Sequence, residues 1–431
     1  MKKLISILKK LTESEYIFSI ISKIIGLILG VMLSVLTSRY FGVELKGVLS
    51  VIGNDVTLMA TFIGLGIYQA YPFYKKNEPE IFQIYVNNIT SYFIISEIIL
   101  LILGAVLWYY GIDNLFIFAL LLVPMEVYTK QLNYVLLIEN PQKRNATYMY
   151  ISFFEILVIL VIWLVLDAGI VSVLIYYSSS TVLKLMLSFM YNSIRLKNFQ
   201  FNIKRLLEFI KFGFVPMLVF ICMTINYKID IQMLKWFEQN GNIVTYSDIG
   251  IYAVAITLAT KVWLIPDAIK DILLSKLIKM KNSGEKEVAK IIRINLFICI
   301  ASIILLIVFG KPMITLLYGK DFEQVYYVMI FLFVGILGMI FYKMIYSYNI
   351  ANGKRTINLI FLGISAIINF IGNLFLIPVL GLWGAVIMSV ISYSVCGVCF
   401  LVYFKIKSRI PLGDILFIKK SDLLLFKNKI Q

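Results

Sequence analysis

Residues 16–70 read YIFSIISKIIGLILGVMLSVLTSRYFGVELKGVLSVIGNDVTLMATFIGLGIYQA, and their pattern decides the fold. Two apolar runs, 16–38 and 47–70, flank the turn SRYFGVELKG at 38–47. Each run is longer than the roughly 18 apolar residues a helix needs to cross about 30 Å of hydrocarbon. Each also carries one ionisable residue to membrane depth, Lys23 in the first and Asp55 in the second. A charge there costs about 2.5–3.5 kcal/mol on insertion scales, so both are expected to face a polar interior rather than lipid. A weaker echo begins near residue 209, FIKFGFVPMLVFICMTINYKIDIQMLKWF, followed by SDIGIYAVAITLATKVWLIPDAI. Two halves of similar design, about six helices each, are the expected organisation.

Composition supports the membrane class. Of the 431 residues 61% are hydrophobic and only 15% are charged, with a mean hydropathy of +0.90. Ordinary soluble domains are about 45–50% apolar. The short alternating segments of a β-barrel are absent, which leaves an all-α polytopic membrane protein. A net charge of +16 would suggest nucleic acid in a soluble chain; here it is better read as an orientation signal, with no nucleic-acid partner. Cys222, Cys299, Cys396 and Cys399 all fall inside apolar runs, and with no histidine in the chain they read as small packing residues. No cofactor or metal motif is present. The start, MKKLISILKKLTESE, reads as a basic amphipathic lead-in rather than a cleaved signal peptide.

About twelve spans are expected, near 16–38, 47–70, 83–109, 115–137, 146–166, 169–192, 212–234, 248–269, 294–310, 324–349, 356–377 and 383–404. With the N-terminus placed inside, twenty-nine lysines and arginines fall in the inner segments against five in the outer ones. That asymmetry predicts an even number of spans with both termini cytoplasmic. It divides the chain into an N-terminal lobe 1–192, a cytoplasmic linker 193–211, a C-terminal lobe 212–404 and a basic interfacial tail 405–431 that meets the anionic lipid surface.

Several stretches, taken in order, resemble one family. SRYFGVELKGVLSV at 38–51 resembles its first-loop pattern, and GLGIYQA at 64–70 the end of its second helix. DIGIYAVA at 248–255, with Pro266 downstream, is similar to the start of its eighth helix, and LYGKDF at 317–322 to the loop before its tenth. INFIGNLFLIPVLGLWGAVIMSVISY at 368–393 matches its helix 11 to 12 pattern. The family is the lipid-linked oligosaccharide flippases of the polysaccharide exporter family, within the superfamily that also holds the multidrug extruders. The resemblance implies two six-helix bundles around a central cavity that opens alternately to each side of the bacterial cytoplasmic membrane. The implied cargo is an undecaprenyl-pyrophosphate-linked glycan carried outward without covalent change. Other polysaccharide assembly proteins are implied partners.

Against that implied cargo, the membrane-depth cations become candidate substrate ligands: Lys23, Lys130, Lys184, Lys228, Lys261 and Lys343, with Arg39 at the outer end of the first helix. Phosphate oxygens leaving water need charge-assisted donors. Each site also has a plainer reading. Lys130 follows Glu126 by four residues, the favourable order for a local ion pair. Lys184 and Lys343 are within snorkelling reach of the inner interface. Lys228 can anchor at the outer surface. Lys23 has Gly26 and Leu27 at the positions where a helical partner acid would stand. Asp55, Glu97, Glu155 and Asp230 are the candidates for coupling to a proton or sodium ion, against the alternative of compensating lysines on other helices. Asn369 and Asn373, four apart, suit either glycan hydrogen bonds or helix-to-helix glue. Pro124, Pro216 and Pro266 are expected to kink their helices.

Two other classes compete. A membrane glycan polymerase or ligase would want catalytic residues on a sizeable external loop, and the outer segments here are short. A drug or cation antiporter of the same superfamily would want acids to dominate the cavity, whereas lysines are at least as numerous at depth. The expectation is a transporter, not an enzyme.

Overall fold

The computed structural model describes residues 15–192, 200–241, 243–264 and 284–419, together with 266, 267, 269, 270, 273, 277, 280 and 422. The side chains of 15–21, 23, 24, 141 and 355 are outside that description. Among the described residues the regular structure is entirely helical. In chain order the helices are α1 (Glu15–Ile63), α2 (Tyr71–Asn77), α3 (Ile81–Tyr109), α4 (Asn114–Glu139), α5 (Pro141–Val165), α6 (Ile170–Tyr191) and α7 (Ile203–Gln239). They continue with α8 (Tyr246–Thr260), α9 (Glu285–Tyr318), α10 (Gln324–Ala351), α11 (Arg355–Leu380), α12 (Leu382–Ser408) and the short α13 (Leu412–Leu416).

Ten of these are long and apolar enough to cross a membrane. The first, α1, contains two of the twelve expected spans, because the backbone breaks at Gly42 (φ 69°, ψ −177°) without interrupting the run of helix. That left-handed φ is open to glycine at no steric cost. The eighth expected span is α8 with the 3₁₀ turn Lys261–Trp263 that follows it. The chain is a multi-pass membrane protein of about twelve spans.

The chain forms two compact units, 1–221 and 222–431. The boundary falls inside α7, further along than the expected linker 193–211, whose last residues already belong to that helix. In each unit the fourth span is the most enclosed. Its most apolar window is 61% buried in α4 and 67% in α10, against 22–50% for the others. Lys130 and Lys343 stand on these two central helices.

In the first unit the second span ends earlier than expected, at Ile63 rather than near residue 70. Leu65 (φ 47°) and Gly66 (φ 65°) turn the chain into the 3₁₀ turn Ile67–Gln69. Gly66 lies so close to Gly213 of α7 that a Cβ on it would collide with the Gly213 carbonyl oxygen. Arg205 closes the same corner by pairing with Glu78 at 3.0 Å, and Lys75 pairs with Glu139 at 2.9 Å. Tyr71, Tyr85 and Phe209 fill its core.

In the second unit small residues let α10, α11 and α12 approach backbone to backbone. A Cβ on Gly397 would strike the Gly338 carbonyl, and one on Gly384 would meet the backbone at Leu376 and Ile377. The first part of the tail packs on the protein. Residues up to Ser408 complete α12, and α13 folds back onto α9 with Ile415 fully buried. Arg293 of α9 donates from Nε and Nη2 to the Asp422 carboxylate at 2.8 and 3.1 Å, and from Nη1 to the Asp414 carbonyl.

Candidate functional site

Of the sequence candidates in the first unit, Lys23 lies on α1, but its side chain is outside the described residues. Arg39 is exposed. Lys130 does not take Glu126 as an ion-pair partner. Its ammonium sits over two rings instead, 4.0 Å from the centroid of Phe220 and 4.9 Å from that of Tyr68. Tyr68 is held edge-on by Tyr134 at 4.9 Å, and the Tyr134 hydroxyl reaches toward Gln69 at 3.4 Å. The broken end of the second span is what delivers Tyr68, since the 3₁₀ turn Ile67–Gln69 aims it at α4. Ring faces attract a cation without neutralising it. Lys130 therefore makes ring contacts and no ion pair among the described residues.

Lys184 has a different environment. Its Nζ lies 3.1 Å from Glu155 Oε1, and Ser180, one turn earlier on α6, donates to the same oxygen. The pair is lopsided: 33% of the lysine side chain is exposed against 8% of the glutamate's. Lys184 thus has a partner acid on the neighbouring helix. Glu97 is half-buried on α3, with Oε2 sealed from solvent and without a hydrogen bond. Asp55 is buried and is engaged by its surroundings.

The second unit repeats the lysine-on-aromatic arrangement, with one change. Lys343 Nζ lies 4.4 Å from the Trp263 ring centroid, and Trp263 again comes from a 3₁₀ turn at the end of a second helix. Here a carboxylate intervenes: Asp267 Oδ1 is 2.6 Å away, so Lys343 is neutralised where Lys130 is not. Lys261 is half-buried in that turn and makes no hydrogen bond or ion pair among the described residues; Lys228 is half-buried and engaged.

Asp230 is the most deeply set acid of the second unit, at 0% exposure. It accepts from Asn373 Nδ2 at 2.8 Å on one oxygen, and from Tyr252 at 2.8 Å and Ser389 at 2.9 Å on the other. The network continues through Asn369, which accepts from Asn373 at 2.7 Å and donates to the Asn226 carbonyl at 3.2 Å. Ser365 joins by donating to Asn226 Oδ1 at 3.1 Å. No lysine or arginine pairs with Asp230 among the described residues. Asn373 Oδ1 is buried with no partner. A buried carboxylate without a counter-ion is costly, and this one is met by three neutral donors, two hydroxyls and an amide. Among the described residues no cluster of three or more His, Cys, Asp or Glu side chains is placed to hold a metal ion.

Sequence reading missed Tyr68, Phe220, Tyr252, Ser180 and Ser389. Serines and aromatics are common in every span, and nothing in their spacing marks these. Asn369 and Asn373 carried a signal in their four-residue spacing, and the structure places both beside Asp230.

The fold is that of a multi-pass membrane protein in two compact helical units, each with polar side chains buried inside it. The lipid II flippase MurJ, solved in an inward closed conformation, is 20% identical with a TM-score of 0.70, over 93% of this chain and 88% of that one. An inward-facing multidrug resistance MATE family transporter of the MOP superfamily is 14% identical with a TM-score of 0.58, over 90% and 94%. A MOP superfamily transporter from Pyrococcus furiosus, described as having a binding pocket of reverse polarity, is 15% identical with a TM-score of 0.53, over 90% and 94%. These likenesses establish the fold. No curated protein sequence matches the chain. A family model described as polysaccharide biosynthesis protein matches residues 39–327, and the chain belongs to that family.

Proposed function

We propose that this protein is a flippase that moves an undecaprenyl-pyrophosphate-linked oligosaccharide from the inner to the outer leaflet of the bacterial cytoplasmic membrane by alternating access. The observation that carries the reading is Lys130, a membrane-depth ammonium held by two rings and by no carboxylate. Membership of a polysaccharide biosynthesis family supports a glycan as cargo, and the transporter fold supports movement rather than bond-making. With both termini cytoplasmic, Lys130 lies about 13 Å from the inner end of α4 at 1.5 Å per residue, where a headgroup collected from the inner leaflet would arrive.

In this reading Tyr68 and Phe220 orient Lys130, and its ammonium donates to a phosphate oxygen that has given up water. Lys343 is already satisfied by Asp267 and serves the fold. Asp230 is the coupling carboxylate, taking up a proton or a sodium ion among Tyr252, Ser389 and Asn373. The test is transport in liposomes. Purified protein should move a prenyl-pyrophosphate-linked saccharide across the bilayer with its covalent structure unchanged, and collapse of the sodium and proton gradients in turn should identify the coupling ion. A new glycosidic bond in the product would make the protein an enzyme and end the proposal.

A further inference from the structure

The corner where α2 meets α7 carries a face that transport of a glycan does not use. At 1.5 Å per residue the 37 residues of α7 extend about 55 Å, whereas about 20 residues cross the hydrocarbon. The expected span begins at residue 212, so residues 203–211 run beyond it. Leu206 and Phe209 of this overhang are buried in the first unit. Its other side is apolar as well. Ile203 is 53% exposed and Leu207 57%, and Phe214, at 51%, carries the same stripe into the span. Positions 203, 207 and 214 share one helical face, so the uncovered stripe is continuous with the uncovered side of the span. From α2, Phe73 adds a ring that is 47% exposed and stacks on Phe212 with centroids 4.6 Å apart.

Most acids of this corner are answered within it. Arg205 pairs with Glu78 and with Glu208, each at 3.0 Å, and Lys75 with Glu139 at 2.9 Å. Lys76, Lys204 and Lys211 are exposed and make no ion pair among the described residues, and Glu80 is the exposed acid left over. Lys204 and Lys211 stand three residues before and four after Leu207, as its neighbours on the helix surface. The apolar stripe is thus edged by surplus positive charge. That combination fits the boundary between acyl chains and headgroups rather than water.

We propose that α2 and the first turns of α7 form an interfacial platform that binds anionic phospholipid headgroups, with Ile203, Leu207 and Phe73 in the acyl boundary and Lys76, Lys204 and Lys211 on the phosphates. Two observations select this occupant over a cytoplasmic protein. The stripe runs unbroken into a segment that already spans the bilayer, and the unanswered charge along its edge is positive. Each lysine near an anionic leaflet adds attraction, and salt screens it. With both termini cytoplasmic, the leaflet is the inner one.

The experiment reads the surroundings of Leu207. A Leu207→Cys chain, with Cys222, Cys299, Cys396 and Cys399 replaced by alanine, is labelled with bimane. It is placed in nanodiscs of phosphatidylcholine and phosphatidylglycerol, and each lipid in turn carries brominated acyl chains at equal mole fraction. Both should quench the label, phosphatidylglycerol about twice as strongly. Molar salt should remove that preference and leave the quenching itself. Replacing Lys76, Lys204 and Lys211 together with glutamine should remove the preference at low salt. Wild type needs no substitution for a second readout: its melting temperature in detergent should rise with added phosphatidylglycerol and not with phosphatidylcholine. No quenching by either lipid would place the corner in water or against a protein and overturn the proposal. Equal quenching by both at low salt would mean apolar contact without a headgroup site, and it would also overturn it. So would a preference that survives loss of the three lysines, or a wild-type melting temperature indifferent to phosphatidylglycerol. None of these outcomes involves the lipid-linked saccharide, so the flippase reading is tested separately.

Discussion

Lys130 and Lys343 both stand on the most enclosed span of their unit, and one carboxylate separates their surroundings. Both ammoniums lie over aromatic rings, but only Lys343 also meets an acid, Asp267 at 2.6 Å. Replacing Lys130 with Gln removes a charge whose partners are ring faces, so it should spare membrane insertion and expression. It should lower flipping at least tenfold, measured at matched protein levels in liposomes. Lys130→Arg should keep part of the activity, since guanidinium also donates to phosphate and stacks on rings. Lys343→Gln should act on the fold instead. It leaves Asp267 without its partner, and the expected result is a lower melting temperature in detergent with residual transport by the protein that remains folded. Equal transport losses for the two variants at matched folded protein would contradict this division.

At the scale of the element, the decisive feature is the break after Ile63. A helix continued to residue 70 would have carried Tyr68 around with the helical period, and the Lys130 site would not assemble. Leu65 and Gly66 at positive φ redirect the chain, and the glycine at 213 lets α7 close over the turn. Gly66→Ala should therefore destabilise the first unit by about 2–4 kcal/mol, combining backbone strain with the collision at Gly213. Thermal unfolding in detergent measures this, and an unchanged melting temperature would mean that the corner is not tightly built. The tail element makes a second case. The Arg293 guanidinium donates to Asp422 and holds its carboxyl below the usual carboxylate range. A carboxyl whose folded pKa is depressed adds stability that is present above its unfolded value, about 3.9, and lost as pH falls through the lower folded value. Asp422→Asn should cost about 3 kcal/mol near neutral pH by leaving Arg293 buried and unpaired. The gap between wild type and variant should narrow as a melting series is taken below about pH 4.

For the whole molecule, we propose an orientation with both termini cytoplasmic, from the excess of lysine and arginine in alternate segments. Reporter fusions after residues 76, 144, 205, 285 and 410 should report the cytoplasm, and fusions near 111, 241 and 380 the exterior. One inverted loop would break the twelve-span map. The sequence by itself determined the membrane class and a count of about twelve spans. These depend on how apolar each stretch is, and hydropathy is a property of the chain in one dimension. It also marked the charges at depth, because each is an interruption in an apolar run. Only the tertiary structure decided what several of those charges meet. Asp230 meets Tyr252, Asn373 and Ser389, which lie 22, 143 and 159 residues further along the chain. Glu155 meets Ser180 and Lys184 on the next helix, and Lys130 meets rings from a turn and from α7. Which way a span faces is set by its rotation about its own axis. That rotation is fixed by small residues such as Gly66, Gly213, Gly338 and Gly397 where backbones come together, and hydropathy does not record it.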